Sequence, residues 1–326
     1  MDFRQAGAAA EKALAVNAQN FDAQRFEAMA LLGQQDLTAA LDLASKLNKR
    51  APDDIGIWAL LSEIDAARGD YAEAERCAQW VLDLRRNSPL GFSTAARLRE
   101  VFGDYEGAAD FYSEALRRTS QADAEERSFL MVQSARMQLR LSNQAGAAST
   151  LGQAEKLFPD SLQVLEQKAE VARMKGDFGE AASLLAKESR ESPTAAHLYA
   201  YGQALDRAGR HDEARAIDET LRAVPRGAES VLILYYADRE KNPDKALALA
   251  TPQIAARQDV ATLDAYAWAL YRAGKFAEAR TQIDKLLAVG TRDPQYVCHA
   301  ARIAAQTRNV DSAVAHLPEG YCEAIQ

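Results

Sequence analysis

Histidine and cysteine are scarce in this chain of 326 residues, with four of the first and three of the second. No His-x-x-x-His or Cys-x-x-Cys pair has the spacing that metal ligation needs. Cys298, His299, His316 and Cys322 are the nearest thing to a zinc set, but adjacent helical residues such as Cys298 and His299 point about 100° apart. The sequence therefore calls for no metal and no cofactor. Cys77, Cys298 and Cys322 are too few and too scattered for a disulfide framework, so free thiols in a reducing compartment are expected. No nucleophile elbow, phosphate-binding glycine loop or His/Cys dyad signature occurs, which argues against an enzyme. No apolar run approaches 18 residues, so membrane insertion is not expected. The opening MDFRQAGAAAEKAL lacks a charged stretch followed by an apolar one, so no secretory signal is read there. Proline is limited to nine residues, most of them between helical stretches. Basic residues are outnumbered, 39 Lys and Arg against 47 Asp and Glu, for a net charge of −8. That balance speaks against a nucleic-acid partner and for a solvated acidic surface.

What the chain has in abundance is alanine at helical spacing. In the stretch 263–287, Leu263, Tyr266, Ala267 and Leu270 fall at i, i+3, i+4 and i+7, one apolar face of a helix. Gly274 then stands where a helix end needs a left-handed residue. Phe276, Ala279, Ile283 and Leu286 follow as a second stripe of the same period. Ala267 and Ala279 are small where two antiparallel helices would cross. Such a hairpin cannot bury its outer stripe alone, and related copies recur at 67–82, 101–116, 174–189 and 208–221. Weaker copies occupy 33–47 and 141–157. Turn glycines Gly69 and Gly103 are 34 residues apart, and Gly176 and Gly209 are 33 apart.

A period near 34 with a turn glycine, an aromatic and then an alanine resembles the tetratricopeptide repeat. Trp58, Gly69, Tyr71 and Ala74 carry the likeness in one copy, and Leu165, Ala169, Gly176, Phe178, Ala181 and Pro193 in another. Pro52 and Pro159 fill the same closing place as Pro193. The resemblance spans nearly the whole chain and implies an all-α, right-handed α-solenoid of stacked helix-turn-helix units. Alanine and arginine richness makes it similar to bacterial arrays of this kind. The expected organisation is one solenoid over 1–326. Residues 1–20 form a half repeat or N-terminal cap, 21–317 about eight to nine units, and 318–326 a tail.

In chain order, full repeats are expected near Phe21, Ile55, Pro89, Ser128, Leu162, Ala195, Gly227, Ala261 and Pro294. The polar segment Ser120 to Arg127 lengthens one interval and reads as a longer turn or an extended helix. The repeat near Gly227 matches worst, because Asn242-Pro243-Asp244 replaces its turn glycine, with Pro243 placed for a helix start. Residues 310–317 read as two turns of helix. The half repeat in front suggests either a cap or a chain cut from a longer precursor.

In this family the second, fifth, ninth and twelfth or thirteenth residues of each first helix face a ligand groove. Carried onto this sequence, the ninth place falls on Met29, Glu63, Arg97, Arg136, Glu170, Gln203, Tyr235, Trp268 and Arg302. The resemblance thus implies a protein- or peptide-binding groove that includes Arg97, Arg136, Arg140, Arg173, Tyr199, Gln203, Trp268, Tyr271 and Arg272. The arginines would make a basic patch flanked by Glu100, Glu166 and Glu170, unless they pair with those glutamates. Tyr199, Trp268, Tyr271 and Arg272 would make an aromatic-rich half, unless the rings serve helix packing. Arginine and aromatic side chains are what interface hot spots use. The chaperone-tail clamp of the family needs Asn at the ninth place, and none stands there.

The expected function is a non-catalytic scaffold or adaptor that holds a protein segment. The alternative is the regulatory or substrate-recruiting part of a larger enzyme or cell-envelope assembly. End-to-end self-association through uncovered terminal helices is a further expectation. As given, the chain reads as cytoplasmic; as a piece of an exported precursor it would be periplasmic.

Overall fold

The computed structural model describes residues 3–159, 161–224, 229–307 and 322, with side chains 3–5 not described. Among the described residues every regular element is a helix. The elements are α1 (Phe3–Val16), α2 (Phe21–Gly33), α3 (Leu37–Arg50), α4 (Ile55–Arg68), α5 (Tyr71–Leu84), α6 (Pro89–Val101), α7 (Tyr105–Arg118), α8 (Ala124–Arg140), α9 (Gln144–Leu157), α10 (Leu162–Met174), α11 (Phe178–Glu191), α12 (Ala195–Arg207) and α13 (His211–Arg222). Then come α14 (Glu229–Leu234), a π-helix (Tyr235–Arg239), α15 (Pro243–Ala256), α16 (Val260–Arg272), α17 (Phe276–Ala288) and α18 (Pro294–Thr307). First helices start within four residues of the expected repeat starts. The fold is an all-α solenoid of helix pairs.

Its local logic is a three-residue turn. Gly69 takes φ +88° at the end of α4, a region that penalises a Cβ. Asp70 follows as the N-cap of α5, its carboxylate accepting the Glu73 N–H. Tyr71 then opens the next helix. Asp36, Asn143 and Asp177 cap α3, α9 and α11 in the same way. The three turns without a glycine put Gln35 (φ 67°), Ser142 (φ 60°) and Lys241 (φ 56°) in the left-handed place. These are the weak repeats of the sequence, so the weakness lies in the turn.

One position unifies the packing. The fourth residue of each second helix is alanine: Ala40, Ala74, Ala108, Ala147, Ala181, Ala214, Ala246 and Ala279. All eight have no exposed surface. A larger side chain there would hold the paired backbones apart.

The packing groups into two compact units, residues 1–98 with 106–167, and 99–105 with 168–326. In unit 1, α2 to α5 enclose Ala28, Leu47, Ile57, Leu61, Ile64 and Cys77. In unit 2, α12 to α16 enclose Leu198, Leu221, Ile233, Tyr235, Tyr236 and Trp268. The segment 99–105 belongs to unit 2 through three bonds. Phe102 C=O accepts the Arg292 N–H, Val101 C=O accepts the Thr291 hydroxyl, and the Tyr105 hydroxyl donates to Asp293.

The lengthened interval resolves into both expected forms. Residues 120–123 make a turn, and Asp123 caps an α8 of 17 residues that begins three residues before Arg127. The segment 310–317 lies outside the described residues. Free thiols were expected throughout, and the structure corrects this for two of three. Cys298 and Cys322 form a disulfide with Cα atoms 5.4 Å apart, leaving Cys77 as a buried thiol. Proximity in space, invisible in a spacing of 24 residues, decides the pairing.

Candidate functional site

The first-helix positions do not all carry bare side chains. In unit 1, Arg97 on α6 pairs with Glu63 on α4, across neighbouring repeats. Arg136 is half-buried on α8, and Arg140 is exposed in the last turn of that helix. In unit 2, Arg173 is exposed and makes a two-pronged contact with Glu170, Nε and Nη2 each 2.6 Å from a carboxylate oxygen. That contact holds the Arg173 guanidinium above its ordinary range. Arg97 thus pairs across repeats, with Glu63 and not with a flanking glutamate, while Arg173 pairs with Glu170 of its own helix.

The aromatic half is organised around the π-helix. Its bonds run one residue too far for an α-helix: the Glu240 N–H reaches the Tyr235 carbonyl at 2.9 Å. The extra residue turns three groups outward to neighbouring helices. The Arg239 guanidinium bonds Asp218 of α13 through Nε at 2.8 Å, and also pairs with Asp206 of α12. Asp238 accepts the Trp268 indole N–H at 3.0 Å. The Ala237 carbonyl accepts the Arg272 Nε–H at 3.0 Å. Tyr235 and Tyr236 turn inward, ring against ring at 5.1 Å.

Trp268 corrects the family register. It is 1% exposed, so its ring faces the core and offers nothing to a ligand. The indole stacks with His299 of α18 at 4.0 Å and with Tyr271 at 4.9 Å. His299 donates from Nδ1 to the buried Asp264 carboxylate at 2.8 Å. Burial pushes the Asp264 carboxyl above the usual carboxylate range, and His299 beside it pulls the other way. Cys298 and Cys322 are joined in the disulfide, so neither offers a thiolate to the zinc set weighed above; His316 lies outside the described residues.

Tyr199 and Gln203 stand one turn apart on α12, the first half-buried and the second exposed. Burial, aided by the negative charge of Asp238, pushes the Tyr199 phenol up to about 12, against a hydrogen bond with Gln203. Its ring meets Tyr235 edge-on at 6.5 Å. Tyr235 is 2% exposed, and burial pushes its phenol up to about 12 as well.

Tyr271 and Arg272 end α16 beside a feature that the sequence reading missed. A pocket of about 290 Å³ opens among Ala237, Lys241, Pro243, Tyr271, Arg272 and Phe276. It lies at the turn side of two consecutive helix pairs. Tyr271 and Phe276 meet at 5.6 Å with planes inclined by 58°, giving an aromatic wall. The only available hint was the absent turn glycine at 241–243.

A family model described as tetratricopeptide repeat matches residues 2–55, 62–123, 133–196 and 265–319. The gap from 197 to 264 contains the π-helix. No curated protein matches the chain. Among solved structures, the chain is similar to the APC/C hetero-tetramer Cut9-Hcn1, with 17% identity and a TM-score of 0.54, covering 92% of this chain. It spans about half of that chain, 52%. Human IFIT1 bound to m7Gppp-AAAA is similar at 14% identity and a TM-score of 0.57, over 94% of this chain and 71% of that one. PilW, a type IV pilus biogenesis factor, is similar at 15% identity and a TM-score of 0.50, over 66% of this chain and 99% of that one. At these identities the likeness is one of fold.

Proposed function

The chain belongs to the tetratricopeptide repeat family, and from that premise we propose that it is a non-catalytic scaffold that holds a segment of a partner protein. Repeats of this family generally mediate protein–protein interaction. The observation that carries the proposal is the split character of the first helices. Their packed faces are filled by residues such as Ala135, Ala169 and Leu198, while Arg140, Arg173 and Gln203 stay exposed on the same helices. Arg136, Arg140 and Arg97 are the contact candidates of unit 1. Arg173, Tyr199, Gln203, Tyr271 and Arg272 are those of unit 2, with Trp268 supporting from beneath. We take 1–326 to act as one array.

A protein partner is favoured over nucleic acid by the net charge of −8. The m7Gppp-AAAA of the IFIT1 neighbour belongs to that protein. Among the described residues no helix is long and apolar enough to cross a membrane.

The test is cross-linked capture with the native chain beside two variants. One carries Arg136→Glu and Arg140→Glu, the other Tyr199→Ala and Gln203→Ala. A partner held by the native chain and lost from either variant is the expected result. A partner held equally by all three removes these helices from the binding surface. Labelled RNA oligonucleotides serve as the counter-probe, and tight, salt-sensitive binding to them would overturn the choice of partner class. Light scattering across concentration reads the end-to-end association.

The second reading, part of a cell-envelope assembly, is favoured by the Cys298–Cys322 disulfide. Disulfides persist in oxidising compartments and are rare in reducing ones. Burial pushes the remaining Cys77 thiol up to about 11, which leaves it unreactive. Peptide mapping without reductant on protein from its source should recover Cys298 linked to Cys322. Recovery of both as free thiols would return the chain to a reducing compartment.

A further inference from the structure

The pocket at the π-helix has a composition that none of its neighbours explains. Of its six lining residues two are cationic, Lys241 and Arg272, four are apolar or aromatic, Ala237, Pro243, Tyr271 and Phe276, and none is acidic. This sits on a chain whose overall charge is −8. We infer that this pocket is an anchor for a single carboxylate side chain, Glu or Asp, presented by the partner protein.

Three features carry the inference. First, Arg272 is held before any ligand arrives. Its Nε–H is spent on the Ala237 carbonyl that the π-helix releases, and its guanidinium lies 6.0 Å from the buried Trp268 ring. A planar guanidinium fixed through Nε presents its Nη hydrogens as a fork, the geometry that carboxylates accept in two-pronged fashion. Second, the carboxylate nearest to Arg272 is already engaged. Asp238 stands 3.7 Å from Nε, and both its oxygens accept the Trp268 indole N–H at 3.0 Å. Asp238 thus holds the scaffold under Arg272 and leaves the fork for an incoming acid. Third, Lys241 adds a charge with no acidic partner among the described residues, from a left-handed backbone position at φ 56°. Prearranged cations reduce the ordering cost of binding.

Size and wall chemistry narrow the occupant. A volume of about 290 Å³ lies at the small end of ligand pockets and suits one side chain. Tyr271, Phe276 and Pro243 suit the methylene groups of that side chain. The inference rests on the scaffold reading in one respect, the choice of a protein as the source of the acid. It gives two of the proposed contact residues, Tyr271 and Arg272, a specific task in a pocket at the turns of two consecutive pairs.

The experiment uses the full chain, labelled with ¹⁵N, and follows the Arg272 Nε–H signal, assigned by its loss in Arg272→Gln. The probes are N-acetyl-glutamate α-amide, the matched glutamine amide and inorganic phosphate. The expected result is a saturable shift with the glutamate probe, at least tenfold weaker with the glutamine probe and with phosphate. Lys241→Ala should weaken the glutamate probe several-fold while leaving the thermal transition unchanged. Arg215→Ala, at an exposed arginine on α13, should change nothing. Equal shifts from the glutamate and glutamine probes would overturn the inference, since the pocket would then read shape alone. Equal binding of phosphate would overturn it too, leaving a plain anion site, and so would the absence of saturation. The capture experiment above fails or succeeds through other residues. Loss of the partner there with binding retained here therefore separates the two readings.

Discussion

The pair α4–α5 and the stretch from α14 through the π-helix to α15 bury the same kind of hairpin with different materials. The first relies on shape. Ile57, Leu61 and Ile64 pack in one cluster with Cys77, and the Ser62 hydroxyl, donating to the Ala74 carbonyl at 2.8 Å, is a small polar addition. The second relies on directed bonds. Arg239, Asp238 and the Ala237 carbonyl reach to α12, α13 and α16. Apolar packing needs only the adjacent pair, which lets a repeat be copied without consulting more distant ones. Directed bonds tie several helices to one geometry, which suits a place where a side chain such as Arg272 must be aimed.

The contrast can be broken most forcefully at Trp268. Trp268→Ala should cost about 3–5 kcal/mol, measured by urea unfolding, because a large buried ring is lost and Asp238 loses its donor. Hydrogen exchange should rise across the π-helix and α18 while α4 and α5 keep their protection. A cost under about 1 kcal/mol would mean that the aromatic stack is ornamental. Arg239→Ala should cost about 2–3 kcal/mol, since it leaves Asp218 largely buried beside an empty place. The cost should fall when Asp218→Asn is added, and a double-mutant cycle with no coupling would refute the directed-bond account.

Placing Val at Ala74 and, separately, at Ala246 compares the two constructions at one shared position. Each should cost about 1–3 kcal/mol by overpacking. A cost at Ala74 without one at Ala246 would show that the irregular pair crosses more loosely than its buried alanine indicates. The smallest effect is a gain. Ser142→Gly gives a weak turn the residue suited to φ 60° and should stabilise by about 0.5–1 kcal/mol in thermal unfolding.

How much of this was legible follows the same division. Gly69, Asp70 and Tyr71 are read locally, because a left-handed turn, a cap and a helix start each need particular chemistry. The buried alanines were visible as a period. The π-helix was not, since nothing in SVLILYYADREK distinguishes a bond to the fifth residue from one to the fourth. What fixes it are partners far along the chain, Asp206, Asp218, Trp268 and Arg272. The family register placed Trp268 at a groove position because register counts residues; the ring turned inward because His299, Asp238 and Tyr271 meet it there. The register names Arg97 and Arg173, but their pairing with Glu63 and Glu170 is a matter of side-chain reach. The pocket beside Lys241 follows from the π-helix and shared its obscurity.

The Cys298–Cys322 bond has a mechanical consequence. When the molecule is pulled from its C-terminal side, tension arriving at Cys322 crosses the sulfurs and enters the array at Cys298, within α18. The intervening residues carry no load and cannot be drawn out. A separation of 24 residues corresponds to a contour of roughly 80 Å that an oxidised chain withholds. Helix α18 would therefore meet any force directly, at its fifth residue. A reduced chain would first pay out slack, and single-molecule extension with and without reductant would register the difference as a step of that length.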